Sequence, residues 1–155
     1  MRNFDNIDLK IMAHLGENSR LSNREIARRI GITEGTVRKR LDRLIKDGVL
    51  HTTALVNIEK FPDLYIAFVG VKIDGRRLTD CAAQIEQLPS VFTTMIVTGR
   101  YDLFAVVLAH SHKTLVDFVT DQLSNVPGIK DSETYMVLKN YGQWIPANKL
   151  SSLVE

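Results

Sequence analysis

The stretch Ser22-Asn23-Arg24-Glu25-Ile26-Ala27-Arg28-Arg29-Ile30-Gly31-Ile32-Thr33-Glu34-Gly35-Thr36-Val37-Arg38-Lys39-Arg40-Leu41 decides how the first third of this chain folds. Ser22 followed three residues later by Glu25 is a capping-box pattern, and it opens a helix. Ile26, Ala27 and Ile30 recur at helical spacing and form one apolar stripe. Gly31 stops the helix, because glycine enters the left-handed conformation of a tight turn at little steric cost. Thr33 is placed to cap a second helix carrying Val37, Leu41, Leu44 and Ile45 on one face and ending near Asp47-Gly48. Ala27 is small enough for two helices to cross closely, Gly31 turns the chain, and Val37 fills the angle between them. This spacing is that of a helix-turn-helix.

Working outward, an earlier helix is expected from Asp5 to Leu15. Asp5 is its N-cap, Asp8 lies in its first turn, Ile7, Ile11 and Leu15 form its stripe, and Gly16 ends it. Charge sharpens the picture. Residues 1–60 hold 12 Lys/Arg against 8 Asp/Glu, whereas residues 61–155 hold 8 against 10. Within 20–46 alone, 9 basic residues face 3 acidic ones, which is a local polyanion footprint. Glu34, Thr36, Arg38, Lys39, Arg40 and Arg43 are read as pointing away from the core of the third helix. Ser22, Asn23 and Arg24 stand where free backbone N–H groups favour a phosphate. With Thr33 at the cap, these ten residues are the candidate contacts to double-stranded DNA. The rival reading, a packing module with a solvated charged surface, does not account for the turn, the caps and the donors together.

At 155 residues, with 45% hydrophobic and 25% charged content, the chain suits one medium or two small globular domains. The lone Cys81 cannot form an intramolecular disulfide, no apolar run nears the roughly 20 residues needed to span a bilayer, and the opening Met1-Arg2-Asn3-Phe4-Asp5 carries no signal-peptide pattern. A cytoplasmic protein without a membrane partner is expected.

The β-prone run Val49 to Val56 reads as a wing or connecting strand, and Asn57 to Asp63, with Pro62, as a hinge. Domains are therefore drawn at 1–60 and 61–155. Four strands are expected after the hinge (Leu64–Ile73, Val91–Val97, Leu103–Ala109 and Thr134–Lys139), with helices at Arg77–Leu88 and His112–Asn125. The order β-α-β-β-α-β, with similar helix ends at Leu88-Pro89 and Val126-Pro127, predicts an α+β, ferredoxin-like sandwich with both helices on one sheet face. The other face is apolar too, through Ile66, Phe68, Phe104, Val106 and Leu108, so a second subunit is expected to cover it.

Enzyme signatures are missing: no Ser/His/Asp order, Walker loop or dinucleotide fingerprint occurs. His110 and His112 lack partners at zinc spacing, so no metal is expected; Cys81 reads as a packed thiol. Gly70, in mid-strand, implies a bulge or a close approach to the backbone. Val97-Thr98-Gly99-Arg100-Tyr101-Asp102 has two readings. Asp102 and the Gly99 amide suit the ammonium and carboxylate of a small zwitterion beside Tyr101; alternatively Tyr101 packs and Asp102 caps the turn.

Taken together, Asp5-Asn6-Ile7-Asp8, Ile26-Ala27-Arg28-Arg29-Ile30-Gly31, Thr36-Val37-Arg38-Lys39-Arg40-Leu41, Lys46-Asp47-Gly48-Val49-Leu50 and Thr98-Gly99-Arg100-Tyr101-Asp102 resemble the Lrp/AsnC (feast/famine) regulators over about residues 4–140. The resemblance implies a winged helix-turn-helix joined to a βαββαβ ligand-binding and oligomerisation domain. It also implies transcriptional regulation without enzymatic activity or a cofactor, dimers that build tetramers, octamers or hexadecamers, and an amino-acid effector near the G-x-Y-D turn. On this chain the effector lining would be Val97, Thr98, Gly99, Tyr101, Asp102 and Leu103, with Ser132 and Thr134 from the last strand and Arg100 biasing the accepted side chain. Two features depart from the family pattern: the join Glu59-Lys60-Phe61-Pro62-Asp63, and the aromatic tail Tyr141-Gly142-Gln143-Trp144-Ile145-Pro146, which is expected to pack on a neighbouring subunit. Siroheme decarboxylases share a similar plan, with His51, His110 and His112 as the histidines for a tetrapyrrole, but would leave the basic third helix without a purpose. An architectural DNA-binding protein with little sequence preference is the remaining alternative.

Overall fold

Asp5 starts the first helix as anticipated: its carboxylate accepts the N–H groups of Ile7 and Asp8, and Asp8 returns a bond to the Asp5 N–H. The computed structural model describes residues 4–75 and 77–151. The chain divides into two compact units, Met1–Thr53 and Ala54–Glu155. The division falls before residues 54–60, which a boundary at 60/61 assigns to the first domain.

The first unit holds α1 (Asn6–Glu17), α2 (Asn23–Ile30) and α3 (Glu34–Lys46). Helix α1 runs through Gly16 and ends at Asn18, whose N–H bonds the His14 carbonyl. Gly31 caps α2 in the left-handed conformation, φ 81°, with its N–H on the Ala27 carbonyl. Ile11, Ile26, Ala27 and Val37 form the core, with Ile7, Leu15, Leu21, Ile30 and Ile32 around them. On α3, Val37 and Leu44 are buried while Ile45 is exposed. Eight residues carry Ile45 roughly 80° round the helix from Val37, to the edge of the stripe. Of the anticipated capping box on α2, the Ser22 half forms, Ser22 Oγ accepting the Glu25 N–H. The Glu25 carboxylate is drawn instead to Arg28 and Arg29, at 2.8 and 3.1 Å.

The second unit contains β1 (Leu55–Asn57), β2 (Tyr65–Ile73), α4 (Leu78–Glu86), β3 (Val91–Ile96), β4 (Leu103–Ala109), α5 (His112–Asp117), β5 (Ile129–Met136), β6 (Trp144–Pro146) and α6 (Asn148–Ser151). Helix α5 continues over Phe118–Leu123 as a wider π-type turn. The main sheet has strand order β3-β4-β2-β5, every neighbour antiparallel, as a βαββαβ sandwich requires. One face carries Ala67, Val69, Val71, Leu103, Ala105 and Val107 against Cys81 and Ile85 of α4 and against Leu115, Phe118 and Leu123. Cys81 is the packed thiol foreseen: Sγ donates to the Pro127 carbonyl, and burial pushes its pKa up.

Three expectations shift. Of Val49–Val56, expected as a wing or connecting strand, only Leu55 and Val56 lie in a strand, Leu55–Asn57, which pairs with Trp144–Pro146. The last strand of the main sheet lies at Ile129–Met136, five residues upstream of its expected start, with a bulge opposite Lys72/Ile73. Its polar residues conceal it, because an edge strand is held by ladder hydrogen bonds to β2 more than by burial. Finally, the sheet's second face is partly covered from within the chain. Ile58, just after β1, and Ile145, in β6, bury Ile66, Val106 and Leu108. Phe68, Met95 and Tyr135 stay open at 40, 42 and 44% exposure.

Candidate nucleic-acid interface and ligand site

The outward surface of the first unit is built by its two capped helices. Thr33 Oγ1 accepts the Thr36 N–H at 3.2 Å, and the two hydroxyls hydrogen-bond at 2.8 Å. Ser22 is engaged in its cap and Asn23 is half-buried, leaving Arg24 projecting from the start of α2. On α3, Glu34, Arg38 and Lys39 project into solvent.

Arg40 departs from the outward orientation expected of it, and Arg43, although exposed as expected, also pairs with α1. Arg40 Nη1 turns back onto α1, reaching Asp5 Oδ2 at 2.6 Å and Asp8 Oδ1 at 2.9 Å. Arg43 Nη2 takes the other Asp8 oxygen at 2.6 Å, though its side chain remains half-exposed. Helical geometry explains the reversal for Arg40: it sits three residues from Val37, so part of its face is the core face. The Asp8 backbone N–H and the Arg40 guanidinium hold the Asp5 carboxyl below its ordinary value, and the same carboxylates raise that of Arg40.

In the second unit, Val97 to Asp102 joins β3 to β4 and is pinned to β2. Asp102 Oδ2 accepts the Ile73 N–H at 2.9 Å, the Asp102 N–H donates to the Val71 carbonyl, and the Val97 N–H donates to the Asp102 carbonyl. Gly99 has φ 126°, which favours glycine. Tyr101 is only 5% exposed; its ring lies flat over Gly70, where an added Cβ would come within 2.7 Å of it. The ring also meets Phe104 edge-on, centroids 5.4 Å apart, and its hydroxyl lies 3.2 Å from that of Tyr135. Arg100 sits over the Tyr101 ring and pairs with Glu133 at 3.4 Å. The close backbone approach foreseen at Gly70 is therefore the Tyr101 ring, and Asp102 does cap a strand end.

Val97, Thr98, Gly99, Arg100, Tyr101 and Asp102 form one continuous turn. Leu103, Ser132 and Thr134 do not join Tyr101. Leu103 and Ser132 pair opposite Val71, and Thr134 opposite Val69, which places all three on the helix-covered face. The residues of β5 beside Tyr101 are Glu133 and Tyr135. With Phe104 they are absent from the residues expected there, although period-two alternation over a strand starting at Ile129 finds both β5 residues. Among the described residues no helix is long and apolar enough to cross a membrane.

Residues 4–51 match the winged helix-turn-helix DNA-binding family, and residues 66–143 match the Lrp/AsnC ligand binding domain. The chain belongs to the Lrp/AsnC family. An HTH-type transcriptional regulator of Pyrococcus horikoshii is 34% identical over 141 residues, covering 90% of this chain and 89% of that protein. The regulator Ptr1 of Methanocaldococcus jannaschii is 28% identical, covering 88% and 93%. Among solved structures, a Neisseria meningitidis transcriptional regulator in complex with L-Met superposes with a TM-score of 0.72 at 28% identity, over 96% of this chain and 99% of that one. Escherichia coli AsnC, at 23% identity and covering 89% and 94%, shares the fold with a TM-score of 0.72. This Lrp/AsnC protein is thus a transcriptional regulator with a DNA-binding and a ligand-binding domain, not an enzyme.

Proposed function

We propose that this Lrp/AsnC regulator is a cytoplasmic, sequence-specific DNA-binding protein, and that an amino-acid effector shifts its operator affinity or its assembly. The observation that carries the first part is the outer side of α3. Glu34, Arg38 and Lys39 stand in solvent without ion pairs among the described residues, while Val37 and Leu44 anchor the opposite side. Long side chains free of internal partners among the described residues, Arg38 and Lys39 as donors and Glu34 as an acceptor, are what base edges in a major groove require. The effector reading is supported by the L-Met complex of the Neisseria relative and by the turn itself. An amino acid brings an ammonium that suits the half-buried Asp102 carboxylate and a carboxylate that suits the Gly99 amide. The still-open apolar patch of Phe68, Met95, Phe104 and Tyr135 supports self-association, and homodimers and higher assemblies such as octamers belong to the same proposal.

Binding is tested by fluorescence anisotropy on an operator selected from a random pool and on a random duplex. Arg38→Ala is expected to cost about 1–3 kcal/mol at one operator position. Arg24→Ala should weaken all sequences alike and flatten the salt dependence. An operator-to-random ratio near one for the native protein refutes sequence specificity. A thermal-shift screen across the twenty amino acids tests the effector: at a hundredfold excess over Kd, a true ligand adds about 2.7 kcal/mol of stability. Absence of any shift refutes that half of the reading.

A further inference from the structure

Among the described residues, Asp8 alone combines a carboxylate with nearly complete burial, at 1% exposure. Both of its oxygens are taken by one helix. Arg40 holds Oδ1 at 2.9 Å and Arg43 holds Oδ2 at 2.6 Å; Asp5 completes the cluster by accepting from Arg40 at 2.6 Å and donating its N–H to Asp8 at 3.3 Å. Two anchors three residues apart on α3 fix the rotation of that helix as well as its slide along α1. Rotation is what DNA readout depends on, since Arg38 lies roughly 200° round the helix from Arg40 and swings with any turn about the axis. A buried ion pair contributes little net stability against an apolar substitute but defines one geometry, so its cost fits a role in specificity.

We propose that Asp8 is the positioning residue of the DNA interface: through Arg40 and Arg43 it sets the rotation of α3, and it holds those two arginines as internal struts, not phosphate contacts. The proposal rests on the sequence-specific reading above. Two carboxylates and two guanidiniums cancel within the cluster, so it releases no counterions when DNA binds. Of the candidate DNA contacts, Arg24, Arg38 and Lys39 then supply the salt dependence.

The experiment is an anisotropy salt series on the full chain with the selected operator and a random duplex. Arg43→Ala leaves the slope of log affinity against log salt unchanged, whereas loss of a true phosphate contact lowers it by about one. Asp8→Asn lowers the operator-to-random ratio by about tenfold or more, while random-duplex binding holds or strengthens because a negative charge is gone. If Asp8→Asn lowers Tm but leaves that ratio intact at temperatures well below Tm, Asp8 is merely structural and the proposal falls. A slope reduced by about one in Arg43→Ala overturns it as well. Should Asp8→Asn not fold, the Arg43→Ala slope decides alone, because that side chain is half-exposed and its truncation is tolerated. A ratio near one in the native protein defeats sequence specificity, and the Arg43→Ala slope still judges whether the arginines are struts.

Discussion

Tyr101 dictates what can stand at position 70. A methyl group on Gly70 would meet the Tyr101 ring at 2.7 Å, and the ring is held from its other sides by Phe104 and the Tyr135 hydroxyl. Gly70→Ala should therefore destabilise the second unit by about 1–3 kcal/mol in urea titration, as overpacking does. Combined with Tyr101→Ala it should cost less than the two single changes together, because the clash is removed. A second residue-level expectation concerns acid. The Asp5 carboxyl is held below its ordinary value of 3.8, chiefly by the Asp8 N–H and then by Arg40. A lowered folded-state pKa means the stabilisation is complete above the unfolded value and drains away as pH falls through the folded one. Native protein should thus lose stability below about pH 4 more steeply than Asp5→Asn, checked by denaturation across that range. The sequence announced Gly70 as special, since glycine in mid-strand demands a reason. It could not name Tyr101 as that reason, because the contact joins residues 31 positions apart.

At the scale of elements, what was legible followed how local the cause was. The N-caps Asp5, Ser22, Thr33 and the Gly31 stop are all found where side-chain chemistry placed them, because a cap bonds within three residues of itself. Ser22→Ala should accordingly cost about 1 kcal/mol, read from the Tm of the full chain. Strand β5 was misplaced for the opposite reason. Its polar run Lys130-Asp131-Ser132-Glu133 has little local strand signature, and its position is set by register with β2. The effector expectations depend on that strand: Ser132 and Thr134 lie on the face opposite Tyr101, while Glu133 and Tyr135 stand beside the turn. The pairing of Arg40 and Arg43 with α1 was hidden for a similar reason, since basic residues on a recognition helix look alike in sequence until an acidic partner on another helix engages some of them.

For the molecule as a whole, the boundary between units is the testable point. Ile58, just after β1, and Ile145, in β6, cover Ile66, Val106 and Leu108, so residues 54–60 complete the hydrophobic packing of the second unit. A fragment spanning 54–155 should keep native secondary structure by far-UV circular dichroism. One spanning 61–155 leaves Ile66 and Leu108 uncovered and should unfold at lower urea, a loss of several kcal/mol if Ile58 acts as a fully buried side chain. Equal midpoints for the two fragments would show that β1 adds nothing.

Period and punctuation in the chain alone determined three capped helices, a tight glycine turn, a basic recognition surface and a βαββαβ order, because each arises from interactions within a few residues or from the repeat of apolar positions along one element. Only the folded structure decided which arginines face outward, which side of the sheet holds Ser132 and Thr134, and how much of the second face the chain covers by itself. Those outcomes depend on partners distant in sequence, where burial and charge pairing select among side chains that look equivalent when read one residue after another.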